Sequence, residues 1–109
     1  MKARAARLSD VRAIYRLIAH YASQGLLLPR EEEEICRNIG HFLVLCEKGK
    51  LLSCVALESY GPDLAEIRSL AVDPESRARG AGSQVVGFAL EEARRRGISR
   101  VFAVTHAPD

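Results

Sequence analysis

The chain has 109 residues and a mass of 12.0 kDa, room for one domain of ordinary size and no second. Apolar residues make up 48% of it, enough for a core, which excludes general disorder. With 16 basic against 14 acidic residues the net charge is +2, a near balance that selects no class of partner. Arginine outnumbers lysine, but it is scattered except at Arg94, Arg95 and Arg96. That triplet follows Glu91 and Glu92, the pattern of a solvated helix face, so no nucleic-acid partner is expected. No apolar run approaches the roughly 18 residues of a membrane span, and no apolar signal region follows the basic first residues. A cytoplasmic location without a membrane partner is therefore expected. Cys36, Cys46 and Cys54 form no CxxC pair and sit among apolar neighbours, which predicts reduced, buried thiols.

Ala3 to Leu8 reads as a short first strand. Ser9 is placed to cap a helix whose stripe is Val11, Ile14, Tyr15, Leu17, Ile18 and Tyr21, at spacings of three and four. Gly25 stops it, and Leu26, Leu27 and Leu28 form an apolar loop. Pro29 opens a second helix in which Glu31 to Glu34 favour the positive helix end and Ile35 and Ile39 face inward, until Gly40. Phe42 to Cys46 and Leu51 to Ser59 read as a hairpin about Glu47–Lys50. After the Gly61-Pro62-Asp63 turn a strand runs from Leu64 to Val72 and halts at Asp73-Pro74. An Arg- and Gly-rich loop over 75–82 precedes a helix near Ser83 to Arg96, with Val85, Val86, Ala89, Leu90 and Ala93 inward and Gly97 after it. Ile98 and Val101 to Val104 give a last strand. The order β-α-α-β-β-β-α-β calls for an α/β fold, a mixed sheet covered by helices. The last strand leaves an edge open to pairing, so either the chain is a fragment, the preferred reading, or a homodimer closes the sheet.

The stretch from Leu64 to Val86 carries the chemistry. A strand ends, an Arg- and Gly-rich turn follows, and a helix starts after Gly82. Backbone N–H groups at such a start form an anion site suited to a pyrophosphate, and Arg77 and Arg79 can add charge-assisted hydrogen bonds. Neither the Walker A nor the GxGxxG pattern is present. His20 and His41 read as surface groups, Tyr15 and Tyr21 as core aromatics, and scattered His and Cys residues give no metal site. Thr105 either ends the last strand or touches a ligand, and His106 lies at the mouth of that strand.

Arg77-Ala78-Arg79-Gly80-Ala81-Gly82 fits the [RQ]xxGx[GA] motif, and through it the chain resembles the GNAT superfamily of N-acetyltransferases. The resemblance extends over all 109 residues and implies the GNAT fold, a single N-acetyltransferase domain over 1–109, and acetyl-CoA as cosubstrate without a metal. It implies that the backbone of Arg77, Ala78, Arg79, Gly80, Ala81 and Gly82 cradles the pyrophosphate. Leu70, Ala71 and Val72 would meet the pantetheine arm where their strand splays from its neighbour. The pieces GLLLPR from Gly25, DLAEIRSLAV from Asp63 and RVFAVT from Arg100 are similar to the acetyltransferase domain of N-acetylglutamate synthases. That implies a small amino acid as acceptor, with glutamate, in arginine synthesis, the first choice, and Arg30 and Arg68 gripping its carboxylates.

By the same resemblance Glu66 is the catalytic base, drawing the amine proton through water. Period-two alternation puts Glu66, Arg68 and Leu70 on one strand face. Arg68 beside Glu66 would lower its pKa, which leaves orientation of Arg68 as a competing role for Glu66. Family members continue past the last strand into a further helix, often with a tyrosine acid, and two strands. These would lie beyond Asp109, making the domain incomplete at its C-terminal end. An acetyltransferase for another small-molecule or peptide amine and a non-catalytic acyl-CoA-binding module are the other readings.

Overall fold

A computed structural model describes residues 1–104, apart from the side chain of Ala78; the readings of Thr105 and His106 lie outside the described residues. Strands β1 (Lys2–Ala5), β2 (Phe42–Glu47), β3 (Lys50–Ser59), β4 (Leu64–Val72) and β5 (Arg100–Ala103) form one sheet in that spatial order. Neighbours from β1 to β4 are antiparallel, and β5 lies parallel to β4. The sheet is mixed because β2–β3 and β3–β4 are joined by tight turns, whereas the chain returns to β5 through a helix. In the first of those turns Lys48 and Gly49 both take positive φ, 50° and 78°, the geometry that matches strand twist in a two-residue hairpin.

Helices α1 (Val11–Ala22) and α2 (Glu32–Arg37) cover one face, and α3 (Ala81–Arg95) covers the other. Under α1 and α2 lie Phe42, Val44, Cys54, Ala56 and Ala71, packed on Ile14, Ile18 and Ile35. Under α3 lie Leu43, Leu45, Leu52 and Val55, packed on Val85 and Ala89, with Leu57, Ala65, Ala93 and Ile98 beyond them. Each large apolar side chain so buried contributes roughly 1.5–3 kcal/mol, the driving force for closing both layers. The Cα radius of gyration is 13.1 Å.

The element order is as expected, with local differences. Asp10, not Ser9, shapes the start of α1: its carboxylate accepts the Arg7 N–H at 2.7 Å and is gripped by Arg4 at 2.7 and 3.1 Å. Among the thiols only Cys54 is buried, while Cys36 is exposed because it lies on the outer side of the short α2. His20 and His41 are exposed, and no helix among the described residues is long and apolar enough to cross a membrane.

The alternation along β4 is interrupted. Cys54 faces Ala71 and Ala56 faces Arg68, so two residues of β4, Ser69 and Leu70, oppose the single residue Val55. Ser69 takes a left-handed φ of 56° to make this bulge. Arg68 therefore shares its sheet face with Ala71, and Leu70 does not follow Glu66 and Arg68 by simple alternation.

Candidate functional site

The corner after β4 is pinned from several sides. The Asp73 N–H donates to the Leu52 carbonyl at 2.8 Å, and the Ser76 N–H and hydroxyl donate to Asp73 at 2.8 and 3.1 Å. A short 3-10 helix (Pro74–Arg79) leads to Gly80, whose φ of 77° reverses the chain into α3. The buried Ser53 hydroxyl donates to the Ala81 carbonyl at 2.9 Å, holding the first turn of α3 to the sheet. A Cβ on Gly82 would stand 3.1 Å from Val72 Cγ2, so this glycine lets the helix start lie against the strand end. Among the described residues no side chain caps α3, and its first N–H groups thus keep the donors that suit a pyrophosphate.

The two arginines of the turn separate. Arg77 lies over the Tyr21 ring, 5.4 Å from its centroid, and lines a cavity of about 330 Å³ with Tyr21, Leu26, Leu27, Leu70 and Val72. The Tyr21 hydroxyl donates to the Val72 carbonyl at 2.5 Å, which leaves that oxygen one further lone pair. Arg79 instead pairs with Glu47 at 2.6 Å, and the N-terminal ammonium reaches the same carboxylate at 3.4 Å. The hydrogen bond from Arg79 holds the Glu47 carboxyl below its ordinary pKa.

A second cavity of about 270 Å³ adjoins the first along β4, sharing Leu26, Leu27 and Leu70. Its polar wall is Arg30, Arg68 and Ser69. Arg30 is almost wholly engaged: Nε and Nη2 each donate to Glu34 at 2.7 Å, Nη1 to the Ser69 hydroxyl at 3.0 Å, and Nη2 to Glu58 at 3.3 Å. It also lies over the Phe42 ring, 4.9 Å from the centroid. Asn38 closes the far end by donating to Glu34 at 2.7 Å, and Arg30 and Asn38 together push the Glu34 carboxyl down to about 2. Arg68 is half-exposed and among the described residues makes one hydrogen bond, from Nη1 to Glu58 at 3.1 Å.

Glu66 stands on the same face, beside Glu58 across the β3–β4 pair and beside Phe102 on β5. The partner of its carboxylate is not Arg68 but Tyr60, whose hydroxyl donates to Oε1 at 2.7 Å. That acceptor raises the Tyr60 pKa. Tyr60 in turn stacks on Phe102, ring centroids 6.2 Å apart. The expected Glu66–Arg68 contact is thus replaced by two others, because Glu58 reaches Arg68 first and Tyr60 claims Glu66.

Glu34, Glu58, Tyr60 and Ser69 join the candidate site without having been expected there from the sequence. Glu34 carried a signal, since it stands four residues after Arg30 in a helix-forming stretch. Glu58 carried another, as a charge ending an apolar strand on the Cys54 and Ala56 face. Among the described residues no group of three or more His, Cys, Asp or Glu side chains is placed to hold a metal.

The sequence pattern of the Acetyltransferase (GNAT) family matches residues 8–109. An uncharacterized N-acetyltransferase of Chlorobaculum tepidum is 41% identical over 102 residues, 94% of this chain and 66% of its own length. A Mycobacterium tuberculosis protein solved in complex with CoA and a second ligand superposes with a TM-score of 0.91 at 36% identity, covering 96% of this chain and 64% of that one. The N-acetylglutamate synthase of Neisseria gonorrhoeae, solved with coenzyme A and N-acetyl-glutamate, gives 0.92 at 35% identity over 95% of this chain and 25% of that one. The chain thus spans about two thirds of the first two relatives and a quarter of the third. The mixed sheet between helices described above is the fold these proteins share.

Proposed function

The chain belongs to the GNAT acetyltransferase family, and on that premise we propose that it binds acetyl-CoA and transfers its acetyl group to the amine of an amino acid, L-glutamate first among the candidates. The observation that carries this reading is the continuous groove beside β4. At one end lie Arg77 and the uncapped start of α3; at the other lie Arg68 and Arg30, with Leu26, Leu27 and Leu70 common to both cavities. Anion donors at both ends of an apolar channel fit a ligand with a pyrophosphate at one end and a carboxylate acceptor at the other. The bound complexes of the Neisseria and Mycobacterium relatives support the same reading.

In this reading the turn from Arg77 to Gly82 takes the pyrophosphate, and the backbone of Leu70, Ala71 and Val72 borders the pantetheine arm. Arg68, with the remaining Nη1 hydrogen of Arg30, takes a carboxylate of the acceptor. The free amine attacks the thioester carbonyl, the C–N bond forms, the C–S bond breaks, and CoA leaves as the thiolate. Glu66 receives the amine proton directly or through water, on the oxygen that Tyr60 leaves open. Among the described residues no cysteine is hydrogen-bonded to a His or Asp side chain, so direct attack in a ternary complex is the route proposed. Positioning in the groove supplies much of the acceleration.

Calorimetric titration of the 109-residue chain with acetyl-CoA tests the first half, alongside a Gly80→Glu variant that puts a carboxylate and backbone strain in the turn. Saturable binding lost in the variant is the expected result, and a folded wild type that binds no acetyl-CoA overturns it. Release of CoA thiol on adding L-glutamate, lost in Arg68→Ala with acetyl-CoA affinity retained, tests the second half.

A further inference from the structure

One carboxylate joins the two arginines of the acceptor cavity. Glu58, near the end of β3 and largely buried, accepts from Arg30 through Oε1 at 3.3 Å and from Arg68 through Oε2 at 3.1 Å. Arg30 cannot swing, because Glu34, Ser69 and the Phe42 ring hold it. Arg68 has no such second anchor among the described residues, so its orientation toward the cavity is inherited through Glu58. The order of support runs from Asn38 to Glu34, Arg30, Glu58 and Arg68.

This arrangement also sets the charge. Two guanidinium groups meet the carboxylates of Glu34 and Glu58, so the cluster is neutral before an acceptor enters, and Glu66 adds a negative charge on the same face. Here Glu58 offsets the positive charge nearest the open side, while Arg68 keeps free N–H groups for one carboxylate.

We propose that Glu58 is a positioning and specificity-determining residue for the acceptor: it aims the Arg68 fork and limits the attraction of the cavity for a second carboxylate. The proposal deepens the acyl-transfer reading and rests on it. Its chemistry is read by two acceptors of equal length that differ in one group, L-glutamate with a side-chain carboxylate and L-glutamine with an amide.

The test is kcat/KM for both acceptors with acetyl-CoA, in wild type, Glu58→Gln and Glu58→Asp, with acetyl-CoA affinity by calorimetry. Glu58→Gln removes a charge within the cluster and is expected to raise the glutamate-to-glutamine ratio about fivefold. Glu58→Asp keeps the charge but withdraws it by one methylene. It is expected to raise KM about tenfold for both acceptors while the ratio and kcat hold. Acetyl-CoA affinity stays unchanged in both. A ratio unmoved in Glu58→Gln overturns the proposal, since a residue with a purely structural role lowers both acceptors together. Should Glu58→Gln fail to fold, Glu58→Ala, which also removes the charge, reads the ratio in its place, and an unmoved ratio there overturns the proposal. Wild type that binds acetyl-CoA but acetylates neither acceptor overturns the acyl-transfer reading and this one with it. Wild type active on both, with an unmoved ratio in the variant, removes only the role of Glu58.

Discussion

Arg77 rests on the face of Tyr21, its guanidinium carbon 5.4 Å from the ring centroid, and the hydroxyl of that ring is bonded to the Val72 carbonyl. Helix α1, the end of β4 and the arginine of the turn therefore meet on one side chain. Tyr21→Phe keeps the ring and loses the hydroxyl. We expect a stability loss of about 1–2 kcal/mol in urea denaturation, from the lost hydrogen bond to the Val72 carbonyl. Acetyl-CoA affinity should fall modestly, whereas Tyr21→Ala, which removes the platform under Arg77, should lose at least about tenfold.

Gly80 and Gly82 separate backbone strain from space. A Cβ at Gly80 meets nothing within 4 Å, but the φ of 77° makes any other residue strained, so Gly80→Ala should cost about 1 kcal/mol. Gly82→Ala improves helix propensity by about 1 kcal/mol, yet its methyl would press on Val72 at 3.1 Å. The expected pattern is a lower melting temperature for Gly80→Ala. For Gly82→Ala, stability should be near wild type while acetyl-CoA binding is weakened, because Val72 lines the cavity it would shift. Thermal melts and calorimetry on the two variants check this.

Acid should unfold the protein through Glu34 and Asp10. The Glu34 carboxyl is depressed from 4.5 to about 2, first by its hydrogen bonds from Arg30, and Asp10 is depressed from 3.8, first by Arg4. A carboxyl whose folded pKa lies below its unfolded value contributes its stability in full above the unfolded value. For Glu34 that contribution is lost as pH falls from about 4.5 through about 2. Glu34→Gln should be less stable at neutral pH and show a flatter stability curve across that acid window. Denaturation midpoints measured at several pH values check this.

The acceptor amine must be deprotonated to attack, so kcat/KM should rise with pH across roughly 6 to 9 toward a basic plateau. Glu66→Gln should reduce kcat most at the low end of that range. A flat profile over the interval would remove proton abstraction from the rate expression and with it the role proposed for Glu66.

Much of the fold was legible because its signals are local. The nine-residue span of β4 coincides with the expected Leu64 to Val72, bounded by Asp63 and the Asp73-Pro74 stop. The motif from Arg77 to Gly82 likewise falls where a strand end, a left-handed glycine and a helix start follow one another. Pairing was less legible. Alternation counts residues along one strand, but a bulge is a property of two, and nothing within LAEIRSLAV says that Val55 will face both Ser69 and Leu70. The same limit explains the partners of Arg68 and Glu66. Adjacency in sequence suggested each for the other, whereas the side chains that reach them, from Glu58 and Tyr60, arrive from β3 and the turn after it. Arg77 and Arg79 both read as anion donors, and pairing again separates their side chains, Arg77 onto Tyr21 and Arg79 onto Glu47.

The bulge at Ser69 and Leu70 gives β4 two phases. Before it, Ala65 and Ile67 pack toward α3 while Glu66 and Arg68 stand on the opposite face; after it, Ala71 turns to α1 and Val72 to α3. The halves of the strand thus answer to different neighbours, and the extra residue works as a phase slip between two codes written on one segment. Length in this strand is consequently more constrained than identity. Deleting either bulge residue would return β4 to regular pairing on β3, and would pull the corner at Asp73 and the glycine turn out of step with the arginines they face across the groove.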